Sequence, residues 1–311
     1  MAIIAPDIGI DLGTANTQVY VKKKGVVIDE PSILVVDRGG RHAIRAIGEE
    51  ARALLGRTSG DVTAVRPLAE GMIRDFDMTQ YMLQYFVRKA IGASRLVKPR
   101  AVITIPCRIS PIERRAVRKA AVYAGVRDGQ LSLVEKPFAA ALGSGLPVFE
   151  PTGSMVVDIG GGTTEAAVIS LGGVVASKSI RIGGVKMDEA IIAYVKREFN
   201  MLIGDRTAED VKISLGAALP LKEERRVLVR GRDMITNLPQ TAELSSSQVY
   251  EALKAPCQAI LAAIQQVLER TPPELAGDVM RSGIHLTGGG AQLFGLDQFI
   301  ASELDIPVLL A

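Results

Sequence analysis

Short aliphatic runs alternate along this chain with amphipathic stretches, and one pattern occurs twice. An apolar run ending in Gly9-Ile10-Asp11-Leu12 gives way to the turn Gly13-Thr14-Ala15-Asn16-Thr17, then to a strand-like run from Gln18 to Val21. In the second half, Val157-Asp158-Ile159 is followed by Gly160-Gly161-Gly162-Thr163-Thr164 and a run from Ala166 to Ile169. Each copy reads as strand, Gly/Thr turn, strand, and the recurrence predicts two related lobes.

Helices are expected between and after these turns. Ser110-Pro111-Ile112-Glu113 has the spacing of a capping box with proline at the first helical position, so a helix should run from there to Gly125, after a buried strand at Ala101 to Ile105. Asp77 with Gln80 predicts a helix ending near Gly92, its inner face built from Met78, Met82, Tyr85 and Phe86. Met187, Ile191, Val195 and Phe199 recur at intervals of four within a helix over Lys186 to Phe199. A longer amphipathic helix is expected over Val249 to Glu269, and Thr271-Pro272-Pro273-Glu274 should cap another. Leu219 to Ser247, with Val227-Leu228-Val229 among polar breaks, reads as a small strand-rich insertion. The alternation as a whole predicts an α/β fold.

A length of 311 residues is enough for two such lobes, and 37 Lys plus Arg against 34 Asp plus Glu leaves a net charge of only +3. That balance argues against nucleic acid as a partner, whose affinity comes mainly from basic side chains on phosphates. The two cysteines, Cys107 and Cys257, form neither a disulfide framework nor a metal-ligand cluster, and with the lone His42 and His285 they are read as structural. No run reaches the roughly 18 apolar residues that a bilayer span needs, and Met1 to Pro6 is too short for a signal peptide, so a cytoplasmic protein is expected.

The chemistry suggested by the two turns is phosphate binding. Backbone N–H groups in a Gly/Thr turn converge on phosphate oxygens, and threonine hydroxyls add donors. A single such turn is more often an ordinary hairpin; two with matching aspartates and threonines are a pattern. Together they would grip the phosphates of a nucleotide, with Asp11 and Asp158 holding a hydrated Mg²⁺ through water. A third cluster, Leu286-Thr287-Gly288-Gly289-Gly290-Ala291, joins a strand-like Gly283 to Leu286 to an expected helix over Gln292 to Glu303. It fits neither the P-loop spacing nor the dinucleotide fingerprint.

These segments resemble the actin-like ATPase superfamily, and within it the bacterial actin homologues of the MreB family. Asp11 to Thr17 looks like the first phosphate loop, Asp158 to Thr164 like the second, and Leu286 to Ala291 like the adenosine-side loop; Glu30-Pro31-Ser32, Arg66-Pro67, Glu113 to Ala116, Met187 to Ala190 and Thr271 to Leu275 are similar to further family words. The resemblance implies two related lobes, each a mixed sheet flanked by helices, divided into four subdomains around a nucleotide cleft. On that scheme 1–31 with 74–146 form subdomain IA, 32–73 IB, 147–182 with 248–311 IIA, and 183–247 IIB.

The resemblance further implies ATP or ADP with Mg²⁺ as cofactors and polymerisation into double protofilaments. Those filaments would lie at the inner face of the cell membrane and guide the cell-wall elongation machinery and rod shape. The nucleotide would be contacted by Gly13, Thr14, Ala15, Asn16, Gly160, Gly161, Gly162, Thr163, Gly288, Gly289, Gly290 and Ala291, with Glu209 and Lys212 on the ribose and adenine side. Asp158 and Thr163 would serve hydrolysis. In that picture Glu209 and Lys212 lie in a segment capped by Thr207; otherwise they form an exposed ion pair.

Three departures stand out. The family glutamate that helps position the attacking water stands immediately before a proline, and here that position is Lys136, ahead of Pro137. An ammonium has donors only and cannot accept a proton from water. Glu135 should face away from it on an extended segment. Binding without normal turnover is therefore expected. Val185 stands where many relatives are acidic, and the resemblance would continue the chain beyond the strand at Ile306 to Leu310 into a turn and a helix.

Leu96 and Val97, flanked by Arg95, Lys98 and Arg100, match the family's membrane-touching loop, a weak site that a filament would repeat many times. A small-molecule kinase of the same superfamily is the alternative reading. A chaperone of related type would need a further peptide-binding domain.

Overall fold

The structure is a computed structural model and describes residues 6–38, 43–55, 61–92, 98–107 and 109–311. The chain divides into two compact units, 1–139 and 140–311.

In the first unit the described strands are β1 (Asp7–Leu12), β2 (Asn16–Val21), β3 (Gly25–Pro31), β4 (Leu34–Asp37), β5 (Ile44–Ile47), β6 (Val62–Val65), β7 (Leu68–Ala69), β8 (Met72–Ile73), β9 (Arg100–Ile105) and β10 (Leu131–Glu135). The helices are α1 (Glu49–Leu54), α2 (Phe76–Ile91), α3 (Pro111–Tyr123) and α4 (Lys136–Gly143), the last carrying the chain into the second unit. The main sheet has the order β10-β9-β1-β2-β3. Its β1-β2-β3 part is an antiparallel meander, whereas β9 and β10 run parallel to β1 and to each other. Alternation explains how it packs: Val19 and Val21 of β2 are buried while Gln18 and Tyr20 are exposed. Buried Ile8, Ile10, Val19 and Ile103 meet Met82, Leu83 and Phe86 of α2 and Val117 and Ala120 of α3 in one core.

The second unit contains β11 (Ser154–Ile159), β12 (Thr164–Ser170), β13 (Gly173–Ile180), β14 (Met201–Leu202), β15 (Arg226–Asp233), β16 (Pro239–Ser245), β17 (Ile284–Thr287) and β18 (Val308–Leu310). Its helices are α5 (Gly184–Phe199), α6 (Asp205–Leu215), α7 (Ser246–Leu268), α8 (Pro273–Ser282) and α9 (Leu296–Leu304). The main sheet, β13-β12-β11-β17-β18, repeats the first unit's plan: an antiparallel meander of three strands, then two parallel strands on the other side of the first. The internal echo in the sequence is thus the same hairpin at the same place in two sheets. Every residue of β12 is buried, so its sheet is covered on both faces there.

The expected α/β organisation is present, with several boundaries moved for local reasons. The capping box at Ser110 is complete, with Ser110 Oγ accepting from the Glu113 N–H and Glu113 Oε2 accepting from the Ser110 N–H. For α2 the cap is Asp75 rather than Asp77, because the Asp75 carboxylate accepts from the Met78 N–H at 3.0 Å. Helix α7 starts earlier than its apolar period suggests, because Ser245 and Gln248 make a second capping box. Thr271 does not cap α8; its hydroxyl donates back to the Val267 carbonyl at 2.8 Å, and Pro272 takes the cap position. Thr207 lies within α6, whose cap is Gly204. After β17 the chain makes a tight 3₁₀ turn at Gly289–Gln292, and α9 begins only at Leu296.

Candidate functional site

In the first unit the turn between β1 and β2 is Gly13-Thr14-Ala15, held from outside by the residue that follows β3. Ser32 Oγ donates to the Gly13 carbonyl at 2.7 Å and shares a 2.8 Å hydrogen bond with Thr17 Oγ1, while the Ser32 N–H donates to the Ala15 carbonyl at 2.8 Å. Thr14 Oγ1 accepts from the Gly71 N–H at 3.0 Å. Asn16 opens β2 and is exposed. A Cβ at Gly13 would lie 2.4 Å from the Asn16 carbonyl oxygen, so the hairpin closes only with glycine there.

Beside that turn, the ends of three neighbouring parallel strands bring three polar side chains together. Asp11 lies near the end of β1, Thr104 near the end of β9, and Lys136 directly after β10. Thr104 Oγ1 donates to Asp11 Oδ1, and the Lys136 ammonium lies 2.8 Å from the same oxygen. Burial raises the Asp11 pKa, and the Lys136 charge and hydrogen bond together with Thr104 outweigh that, leaving it below the usual carboxylate value. Glu135, the preceding residue, accepts at Oε2 from the Cys107 thiol at 3.6 Å. Lys136 is the first residue of α4 rather than part of an extended run.

In the second unit the turn is Gly160 to Thr163. It closes on itself through the Gly160 N–H to the Thr163 carbonyl at 2.9 Å. The start of α5 braces it: the Gly184 N–H donates to the Gly160 carbonyl at 3.0 Å and the Val185 N–H to the Gly161 carbonyl at 2.8 Å. Thr163 and Gly162 are buried. Strand β17 lies parallel to β11 with Thr287 opposite Asp158, and the Thr287 hydroxyl donates to Asp158 Oδ1 at 3.3 Å. Gly288, at φ +84°, and Gly290 pack on Asp158 and Ile159 at the end of β11; Ala291 is buried and Gly289 exposed. The unit therefore gathers Asp158, Gly160 to Thr163 and Gly288 to Ala291 at one end of its sheet. Ligands of open α/β sheets bind at such strand ends.

Lys212 of α6 joins the same region, because its ammonium donates to the Gly184 carbonyl at 3.1 Å and pairs with Asp188 Oδ1 at 2.8 Å. Its partner is thus Asp188 of α5, not Glu209. Burial raises the Asp188 pKa to about 6, against the opposing pull of Lys212 and with the help of Glu209 and Asp205 nearby.

Comparison with known proteins decides the family. The family model described as "MreB/Mbl protein" matches residues 5–311. The cell shape-determining protein Mbl of Bacillus subtilis (strain 168) is 47% identical over 309 residues, 99% of this chain and 92% of the relative. The cell shape-determining protein MreB of Escherichia coli (strain K12) is 48% identical over 309 residues, 98% of this chain and 88% of the relative.

The chain belongs to the MreB/Mbl family.

Among solved structures, MreB5 of Spiroplasma citri bound to AMPPNP superposes with a TM-score of 0.92 at 35% identity, over 99% of this chain and 91% of that one. The MamK double helical filament, at 22% identity and a TM-score of 0.80, covers 99% of this chain and 94% of that one and attests the fold alone. The fold is actin-like, as the motifs implied.

Seen as an MreB/Mbl protein, the chain offers two different environments for a divalent cation. Asp158 accepts from the Thr287 hydroxyl at Oδ1, and a carboxylate is the oxygen donor type that orders water around a hard ion. Asp11 does not fit that role as it stands. An ammonium already occupies one of its oxygens, and a divalent ion sharing the carboxylate would be repelled by that charge. Among the described residues no group of three or more His, Cys, Asp or Glu could hold a metal directly. Sequence reasoning singled out both turns but assigned nothing to Thr104, Asp188 or the bonds of Ser32. A lone threonine in the apolar run from Ala101 to Ile105 was the available signal for Thr104.

Leu96 and Val97 lie outside the described residues, as does His42. No described helix is long and apolar enough to cross a membrane. Cys257 is buried, and burial pushes its thiol up to about 12, in keeping with an inert structural residue.

Proposed function

We propose that this chain binds ATP and assembles with copies of itself into filaments that help determine cell shape. The observation that carries the reading is the repeated hairpin: a Gly/Thr turn at the same position of two sheets of identical plan, each followed by a braced threonine. Its relatives support the rest. Mbl and MreB are cell shape-determining proteins, MreB5 of Spiroplasma citri was crystallised with AMPPNP and with ADP, and MamK forms a double helical filament. On this reading Gly13 to Asn16 and Gly160 to Thr163 supply phosphate donors, Gly288 to Ala291 the adenosine side, and Glu209 and Lys212 the ribose side. The arrangement of the chain into subdomains IA, IB, IIA and IIB belongs to the same proposal.

Mg²⁺, when bound, would neutralise phosphate charge, with Asp158 ordering its water. Hydrolysis would be weak. Lys136 has no lone pair to accept a proton from water at neutral pH, and Glu135, engaged by Cys107, starts from a different strand position. Filaments would attach to the inner membrane face through Leu96 and Val97 and serve the wall-elongation machinery.

Calorimetry with ATP and ATP-dependent sedimentation of the purified chain test the proposal. Adenine nucleotide uptake with nucleotide-dependent pelleting is expected. A chain that takes up no nucleotide, or that stays monomeric and phosphorylates a metabolite, would overturn it.

A further inference from the structure

The ion pair between Lys212 and Asp188 reaches the second Gly/Thr turn through the backbone of α5. We propose, on the basis of the ATP-binding reading above, that Asp188 is a positioning residue of the nucleotide site. Its carboxylate holds the Lys212 ammonium on the Gly184 carbonyl, and this clamp keeps the start of α5 seated against the turn from Gly160 to Thr163.

The contacts form one continuous chain from α6 to the turn. Lys212, in the last turn of α6, places its ammonium 3.1 Å from the Gly184 carbonyl oxygen and 2.8 Å from Asp188 Oδ1. Gly184 and Asp188 lie about one turn apart on α5, so a single ammonium reaches both. Gly184 is also the residue whose N–H donates to the Gly160 carbonyl at 3.0 Å, and the next N–H, that of Val185, donates to the Gly161 carbonyl at 2.8 Å. Directly after the turn, the Thr164 hydroxyl donates to the Ile182 carbonyl at 2.8 Å. The Lys212 and Asp188 side chains are 16% and 14% exposed, so the clamp is largely shielded from water.

Electrostatics explain why a carboxylate is needed. The start of a helix carries the positive end of its dipole, so an ammonium brought to the first residue of α5 is repelled there. Asp188 supplies the opposing charge one turn further along. The pair is costly to keep. Burial raises the Asp188 pKa to about 6 even with Lys212 beside it, and Glu209 and Asp205 of α6 add to the rise. At neutral pH the carboxylate is thus ionised against the preference of its surroundings, a mark of functional sites more than of packing. A neutral amide of the same shape would relieve that cost and would not hold the ammonium at the helix start. Stability and positioning are opposed at this residue.

The test combines hydrogen exchange, followed by NMR, with calorimetry on the full purified chain near neutral pH. Once AMPPNP and Mg²⁺ saturate the native chain, the Gly184 and Val185 amides should exchange at least about tenfold more slowly; no slowing would overturn the proposal without any variant having to fold. In nucleotide-free protein, Asp188→Asn should exchange the same two amides at least about tenfold faster than the native chain while melting no lower. Unchanged exchange would overturn the proposal, and so would a lower melt, which would make Asp188 a packing residue. For AMPPNP affinity, Asp188→Asn should cost at least about tenfold in the native background and less than about twofold in Lys212→Met, because the carboxylate acts through that ammonium. Losses that simply multiply would overturn the clamp. Absence of AMPPNP binding by the native chain would overturn the ATP reading itself, and the nucleotide-free exchange of Asp188→Asn would still decide whether the clamp exists.

Discussion

A Cβ placed on Gly288 would lie 2.6 Å from Asp158 Oδ1 and 2.5 Å from the Ile159 carbonyl oxygen. The glycine turn after β17 thus rests directly on the aspartate that precedes the second Gly/Thr turn. Gly288 also has φ +84°, a conformation that costs other residues strain. Gly288→Ala should destabilise the chain by roughly 2 to 4 kcal/mol, combining backbone strain and overpacking, and should weaken nucleotide binding. Denaturant melts read the first effect and calorimetry the second; a melt equal to that of the native chain would show that the turn has room to move.

Ser32 anchors the first turn through two side-chain hydrogen bonds, to the Gly13 carbonyl and Thr17 Oγ1. It is fully buried, so Ser32→Ala leaves Thr17 without that partner in a dry setting. The expected cost is about 1 to 3 kcal/mol in urea denaturation. Nucleotide affinity should fall in parallel, because the turn loses its brace while keeping its sequence.

Lys136→Glu restores a proton acceptor next to Pro137. Steady-state phosphate release should rise by about a hundredfold, the lower range for a positioned general base. A native rate equal to or above that of the variant would refute impaired hydrolysis.

Asp188 gives a pH signature. Its pKa is raised by burial to about 6 in the folded chain from an ordinary 3.8, so between those values the native state binds more protons than the unfolded state. Stability contributed by this group therefore falls as pH rises from about 4 to 6 and is level above that. Asp188→Asn should remove the slope, and the native chain should lose on the order of 2 to 3 kcal/mol relative to the variant across the window. Parallel pH profiles of the two would refute the assignment.

Leu96→Ser with Val97→Ser should abolish liposome co-sedimentation of assembled protein while leaving ATP-dependent pelleting intact. Unchanged liposome binding would take this loop out of membrane attachment.

Much of the fold could be read from residue order because the signals are local. Ser110 and Glu113 are three residues apart and make their capping box within one helical turn. Met187, Ile191 and Val195 lie on one stripe of α5 and are all buried. The two Gly/Thr turns each lie between strands adjacent in sequence, so the hairpin and its repetition were legible, and with them the family. Boundaries went astray where competing caps sat close together, as with Asp75 and Asp77, or where a hydroxyl found a carbonyl one turn back, as with Thr271 and Val267.

What residue order alone determined is the repeated hairpin, its glycines and the presence of a cation at position 136. What tertiary structure decided is whom that cation meets. Asp11 and Lys136 are far apart along the chain and touch only because β9 slots between β1 and β10 and aligns their ends, and Lys212 passes over its near neighbour Glu209 for Asp188 because α5 packs against α6. Periodicity and capping act over one or two turns of chain, whereas an ion pair is chosen by distance in space, which only the assembled sheets and helices fix.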